Sequence, residues 1–213
     1  LVPHLKKQNY NIGVYSRDEY KQHLMKQKFP DLNYFIGDVR NVKRLREVVS
    51  KFKVDIIIHA AAMKRIEVCE ENPFETVQTD IIGGKNVVTV AKENNIKAIA
   101  VSTDKAVKPV NVYGMCKAIQ ERIFTDAGFN CVRYGNVVGS RGSVIPLFKR
   151  LVKEGKPLTI TNPDMTRFLL LLKDAVTLIF EAIKAEPNGL IFIKKSPAAT
   201  VEQIASLFSD NTK

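Results

Sequence analysis

Three features of the sequence predict an α/β protein, a doubly wound parallel sheet with a smaller lobe towards the C-terminus. Short β-branched apolar runs alternate with amphipathic stretches through most of the chain. Two of these runs, Asp55-Ile56-Ile57-Ile58 and Ala98-Ile99-Ala100-Val101, are apolar on both faces, as expected of central parallel strands. The residues that follow the runs are polar, small or glycine, which suits the carboxyl edge of such a sheet, where ligands bind.

Taken in order, the first strand is predicted at 12–15 and closes on Ser16-Arg17-Asp18-Glu19, which leads into a helix at 18–27. A second strand at 34–36 ends at Gly37-Asp38-Val39, before a helix at 42–52. The third, 55–59, ends at His59-Ala60-Ala61-Ala62, and a helical pattern runs over 74–93. The fourth, 98–102, delivers Thr103-Asp104-Lys105 ahead of a helix at 113–126. The fifth, 131–134, leads to Gly135-Asn136-Val137 and a helix at 144–154; a helix at 174–185 and a strand at 190–193 follow, with a last helical pattern at 201–208. Pro157, Pro163, Pro187 and Pro197 break up the later part, so the sequence is divided into a sheet domain, 1–140, and a lobe, 141–213, interleaved with it.

The 213 residues carry a net charge of +11, with 45% hydrophobic and 26% charged residues. That composition excludes disorder, and the length is enough to bury a core without metals or disulfides. Apolar stretches such as 56–62 and 169–172 fall far short of the ~20 residues of a membrane span, so no membrane partner is expected. Cys69, Cys116 and Cys131 are scattered, and His4, His23 and His59 form no ligand pattern with them. No structural metal and a reducing cytoplasmic location follow. Lys and Arg are spread along the chain and aromatics are few, which favours an anionic small molecule over nucleic acid as the partner.

Tyr113 and Lys117 have a spacing that puts phenol and ammonium on one helix face, one turn apart. A nearby cation favours phenolate, lowering the tyrosine below its free pKa of about 10 and fitting it to take a proton from an alcohol. Thr103-Asp104-Lys105, directly after a buried strand, brings an acid and an amine to the same edge. His59 reads as a core histidine at a strand end, and Cys116 as packing.

The run Ser102-Thr103-Asp104-Lys105-Ala106-Val107, then Pro109, Asn111, Tyr113-Gly114 and Lys117, resembles the extended short-chain dehydrogenase/reductase superfamily, whose fold is Rossmann-like. Lysine after the aspartate, where most sugar-nucleotide 4,6-dehydratases carry glutamate, is similar to the UDP-N-acetylglucosamine 4,6-dehydratases of the polysaccharide-biosynthesis group. The segments 15–19, 37–40, 59–64 and 133–146 and the run Met165-Thr166-Arg167-Phe168 agree, so the resemblance covers nearly the whole chain. Tyr113 points to the short, soluble, generally C5-inverting members, since methionine often replaces it in the membrane-anchored ones.

The resemblance implies hydride transfer from C4 of the sugar to NADP, with Tyr113 accepting the hydroxyl proton and Thr103 orienting it. Lys105 would then remove the C5 proton while Asp104 protonates the departing C6 hydroxyl, before hydride returns to C6. An adjacent acid and amine normally form an ion pair, so the site must work against that pairing. For the cofactor, Ser16 and Arg17 at the first strand end favour the extra phosphate of NADP. Asp18, Lys21, Asp38, Val39, Ala60, Ala61, Tyr113, Lys117, Val137, Val138, Gly139, Ser140 and Arg141 complete that set. Lys64, Asn136, Val144, Thr159, Thr161 and Arg167 are implied for a UDP-sugar, and a homo-oligomer is expected.

The family's glycine-rich loop and the strand before it are missing, 1–9 reads as the tail of the helix that should follow them, and family members continue beyond position 213. A sugar-nucleotide epimerase or reductase remains an alternative, using Tyr113 and Lys117 without the Asp104–Lys105 pair. So do a non-catalytic NADP-binding protein and, from outside the fold's chemistry, a nucleic-acid binder, whose attachment to duplex would be salt-dependent.

Overall fold

A computed structural model describes residues 1–140 and 143–209, in which the apolar runs form strands and the amphipathic stretches form helices. In chain order the elements are α1 (Val2–Lys7), β1 (Gly13–Ser16), α2 (Glu19–Lys28), β2 (Asn33–Ile36), α3 (Val42–Phe52), β3 (Ile56–His59), α4 (Ile66–Glu71) and α5 (Pro73–Thr76). A π-helical segment, Val77–Ile82, runs into α6 (Gly83–Glu93), followed by β4 (Lys97–Thr103), a 3₁₀ turn (Asp104–Ala106) and α7 (Val112–Asp126). Next come β5 (Asn130–Tyr134), β6 (Asn136–Val137), α8 (Val144–Lys153), β7 (Thr166–Leu170), α9 (Leu172–Lys184), β8 (Ile191–Ile193), β9 (Ala198–Thr200) and α10 (Val201–Ser209). Among the described residues no helix is long and apolar enough to cross a membrane.

The chain divides into two compact units, 1–133 with 180–192, and 134–179 with the residues from 193 onward. In the first, β1 pairs in parallel with β2, Val14 opposite Tyr34, and β3 in parallel with β4, Ile58 opposite Ile99. The larger sheet has the order β3-β4-β5-β8, and β1 and β3 each keep one edge without a strand partner among the described residues. β4 buries alternate and intervening side chains alike, which is why its sequence is apolar on both faces. α3 starts at Asn41, whose side chain accepts the Arg44 amide at 3.0 Å, and turns Leu45, Val48 and Val49 inward. Leu45 and Val49 pack with Val87, Val88, Val90 and Ala91 of α6 and Phe124 of α7 against Ala98, Ala100 and Cys131. Each such buried aliphatic side chain contributes about 1.5–3 kcal/mol.

In the second unit β6 pairs in parallel with β7 and β7 antiparallel with β9, Thr166 opposite Thr200. Behind this sheet the Phe148 ring of α8 meets Phe208 of α10 edge to face, with centroids 5.9 Å apart, among Val201, Ile204 and Ala205.

The six strands expected from the sequence form, and the helix expected over 74–93 is instead α5, a π segment and α6. Its π turns carry Thr79 and Asp80 into the interior. Strands β6, β7 and β9 and the six-residue α4 carry too short a pattern to be read among the surrounding polar and proline residues. All three cysteines are buried and free.

Candidate active site

The carboxyl end of β1 is built for polar contact. Asp18 caps α2 by accepting the Lys21 amide at 2.9 Å, and the Lys21 ammonium returns to the same carboxylate at 2.6 Å. Ser16 Oγ accepts the Asp18 amide at 3.2 Å. Arg17 stays 56% exposed, its guanidinium 3.5 Å from the Asp38 carboxylate, which Arg40 grips with Nε at 3.0 Å and Nη2 at 2.8 Å. Tyr15 donates its hydroxyl to the Asp38 carbonyl at 2.9 Å, and its ring fills the space that a side chain at Gly37 would need. Ser16, Arg17, Asp18, Lys21, Asp38, Val39, Ala60 and Ala61, the cofactor residues expected from this part of the sequence, all line one cavity of about 780 Å³. Residues of β1 and β3, whose outer edges have no strand partner among the described residues, border it as well.

The end of β4 carries the acid and the amine. Thr103 Oγ1 donates to Asp104 Oδ1 at 2.9 Å, accepts the Lys105 amide at 3.4 Å, and lies against the Tyr113 phenol. Lys105 Nζ sits 3.1 Å from Asp104 Oδ1, so the ion pair expected of an adjacent acid and amine is formed here. Asn111 caps α7 by accepting the Gly114 amide at 2.8 Å, which sets Tyr113 in its first turn. A β-carbon at Gly114 would overlap the Lys105 carbonyl, so glycine is what lets the Tyr113 helix start against the Lys105 turn.

The phenol itself departs from expectation. Burial, then the Asp80 charge, pushes the Tyr113 pKa up to about 12, against the Thr103 hydroxyl, which favours the phenolate. The cation one turn on does not reverse this, because Lys117 Nζ is spent on the Val101 carbonyl at 2.6 Å and on Gln120 Oε1. Burial lowers Lys117 to about 8, opposed by Asp80 and Glu121. Gln120 Nε2 donates to the Asp80 carbonyl at 2.8 Å and meets His59 Nε2 at 2.9 Å. His59 is the core histidine expected: it stacks on Phe124 and burial pushes its pKa down to about 3. Cys116 is buried, and its thiol is pushed up to about 11 by that burial, which suits packing rather than attack.

Of the substrate residues expected in this unit, Lys64 is exposed on the loop after β3. In the second unit a small cleft collects Asn136, Val137, Val138, Val144 and Arg167. Val138 is held by its amide to the Leu170 carbonyl at 2.9 Å, and Arg167 Nη1 donates to the Thr166 carbonyl at 2.8 Å. Gly139 has a left-handed φ of 75° and Ser140 bonds back to Val137 at 3.1 Å, closing the turn after β6. Thr159 and Thr161 are exposed and lie outside that cleft, and Arg141 falls outside the described residues. Asp80 and Gln120 were not singled out from the sequence, in which Thr76, Thr79 and Asp80 share a helix face without any spacing that marks a site.

A family model described as polysaccharide biosynthesis protein matches residues 2–212. A UDP-glucose 4-epimerase of Rickettsia canadensis (strain McKiel) is 44% identical over 93% of this chain and 61% of its own length. The inverting UDP-N-acetylglucosamine 4,6-dehydratase of Campylobacter jejuni is also 44% identical, over 94% and 63%. The chain thus spans about three fifths of the length of the curated relatives it matches. Among solved structures, Pen from Bacillus thuringiensis is 38% identical, with a TM-score of 0.89, over 94% of this chain and 67% of that one. The dTDP-glucose 4,6-dehydratase DesIV from Streptomyces venezuelae, solved with NAD and TYD bound, has a TM-score of 0.87 at 17% identity, over 98% and 76%, and shares the fold.

Proposed function

The chain belongs to the polysaccharide biosynthesis protein family, and from that premise we propose that it serves the NADP-dependent 4,6-dehydration of UDP-N-acetylglucosamine, with inversion at C5. The observation that carries this reading is Asp104 and Lys105 on a turn packed, through Gly114, against the start of the Tyr113 helix. Alcohol oxidation alone needs the phenol; elimination of water needs an acid and a base beside it. The inverting dehydratase of Campylobacter jejuni supports it at 44% identity.

The cavity edge fits a dinucleotide: Arg17 is an exposed cation with one distant partner, and Ala60 and Ala61 let a ligand come close to the backbone. Ser16, Arg17, Asp18, Lys21, Asp38, Val39, Ala60 and Ala61 would hold it, with Val137, Val138, Gly139, Ser140 and Arg141 from the later segment. Bound there, a nicotinamide would supply the hydride acceptor for C4 of the sugar and the hydride donor for C6. Tyr113, once it has given up its own proton against its raised pKa, accepts the C4 hydroxyl proton, oriented by Thr103. Lys105 removes the C5 proton, made acidic by the adjacent ketone, and Asp104 protonates the C6 hydroxyl as it leaves. Before that step the Asp104–Lys105 pair has to exchange its proton, so that the acid is neutral and the amine free. Lys64, Asn136, Val144, Thr159, Thr161 and Arg167 bind the UDP-sugar. Met115 and Ile119, 48% and 47% exposed one turn apart on α7, form an apolar stripe that a second copy covers in a homo-oligomer. The protein works in the cytoplasm, on a nucleotide sugar and not on nucleic acid or membrane.

The relatives named UDP-glucose 4-epimerase favour a second reading, epimerisation at C4, for which Tyr113 and Lys117 suffice. Mass spectrometry of UDP-N-acetylglucosamine after incubation with the protein and NADP, behind chromatography that separates C4 epimers, decides between them. A product lighter by one water, absent with Lys105→Ala, is expected; a product of unchanged mass that survives Lys105→Ala would establish the epimerase instead.

A further inference from the structure

Carboxylates are almost never fully buried unless paired, yet Asp80 has no exposed surface. Its Oδ1 accepts the Met63 amide at 2.8 Å, while Oδ2 has no hydrogen-bond partner among the described residues. It sits in the π segment, a distortion common at functional sites. Its carbonyl is joined to Lys117 through Gln120, and through the same amide to His59 of β3. The titratable groups that face it are Lys117, Tyr113 and Cys116 on α7 and Cys69 on α4, of which Lys117 is the cation.

Two consequences follow from that placement. Met63 belongs to the loop between β3 and α4 that also carries Ala60, Ala61 and Lys64, so the carboxylate ties this ligand-edge loop to the catalytic helix. A buried negative charge beside Lys117 and Tyr113 also favours the protonated form of both. We propose that Asp80 is a positioning residue of the reaction, fixing the 60–65 loop through Met63 and holding Lys117 as an ammonium behind Tyr113. The inference rests on the roles given to Tyr113 and Lys117 above. Burial raises the Asp80 pKa to about 6, so it is mostly ionised at neutral pH and the charge is present.

Two substitutions separate the parts. Asp80→Asn keeps an acceptor for Met63 and removes the charge; Asp80→Ala removes both. Hydrogen exchange of the peptide containing Met63 is expected to quicken at least ~10-fold in Asp80→Ala, the loss of one buried hydrogen bond, and to stay near wild type in Asp80→Asn. In both variants the limbs of the pH profile for cofactor reduction are expected to move to lower pH by about one unit, since Lys117 and Tyr113 each lose their proton more easily. A residue with a merely structural role would lower thermal stability and leave the limbs in place. Limbs unmoved in Asp80→Asn overturn the electrostatic role, and unchanged exchange in Asp80→Ala overturns the hold on the loop. If the wild-type protein turns over no sugar nucleotide, the preceding reading falls; the exchange result still decides the loop, and the pH dependence of NADPH affinity, followed by its own fluorescence, decides the charge.

Discussion

Gly114 and Lys105 meet backbone against backbone: the α-carbon of one has no room for a side chain because the carbonyl oxygen of the other occupies it. The residue after the phenol and the residue bearing the amine are thereby held in register, although they lie on separate elements. Gly114→Ala is therefore expected to push the 3₁₀ turn away from Tyr113. Overpacking of this kind costs about 1–3 kcal/mol of stability, and a displacement near 1 Å costs about 100-fold in rate. Thermal unfolding and the initial rate of the proposed water loss would be measured together. A variant as fast as wild type would show that the contact does not set the geometry.

Arg17 is the cation at the end of β1 with the weakest commitment, a 3.5 Å approach to Asp38 and 56% exposure. If it receives the extra phosphate of NADP, Arg17→Ala loses a charge-assisted bond of about 1.5–3 kcal/mol, which is about 10- to 100-fold in Kd. Affinity for NAD, which lacks that phosphate, should not change. Titration of the two reduced cofactors by their fluorescence checks this, and equal weakening of both would move the phosphate contact elsewhere.

How much of this could be read from the sequence depends on where the causes are local. The ends of β1 to β4 were legible because a central strand advertises itself by β-branched residues and the next residues are the ligand edge; Ser16-Arg17, Asp38 and Ala60-Ala61 all come to one cavity. Asp80 was not legible as a site residue because its importance lies in burial beside Lys117, set by the path of α7 across the π segment rather than by spacing. The direction of the Tyr113 shift was missed for the same reason. Spacing shows that a cation is one turn away, but not that Val101 and Gln120 already hold it. Strands β6, β7 and β9 were missed because Asn136-Val137, Thr166-Arg167-Phe168-Leu169-Leu170 and Ala198-Ala199-Thr200 lack the β-branched apolar run by which the other strands were read.

Glu121 and Arg133 tie α7 to β5 through two contacts, at 2.9 Å from Nε and 2.5 Å from Nη2, with Glu121 almost fully buried. Removing one member leaves the other charge desolvated, which costs more than the pair itself contributes. Glu121→Ala is expected to lower stability by about 3–5 kcal/mol, and the double replacement Glu121→Leu with Arg133→Met by much less. Urea unfolding of the three proteins tests it, and a double variant no better than the single would contradict the desolvation account.

The stacked, buried His59 predicts an acid-side loss of stability. Its pKa falls from 6.5 to about 3 in the folded chain, chiefly by desolvation and then by the Lys117 charge. A base depressed on folding contributes stability that is complete above the unfolded pKa and is lost as pH falls through the window down to the folded one. Within that window the slope reaches about 1.4 kcal/mol per pH unit. Asp80 acts in the opposite sense, since its raised pKa makes the folded state gain relative stability as pH falls through about 6. A comparison with His59→Gln, which offers Gln120 a neutral acceptor and leaves Asp80 in place, isolates the histidine. Urea midpoints between about pH 7 and about pH 4 should fall more steeply for wild type than for the variant. Parallel curves would mean that His59 takes up its proton without opening the core.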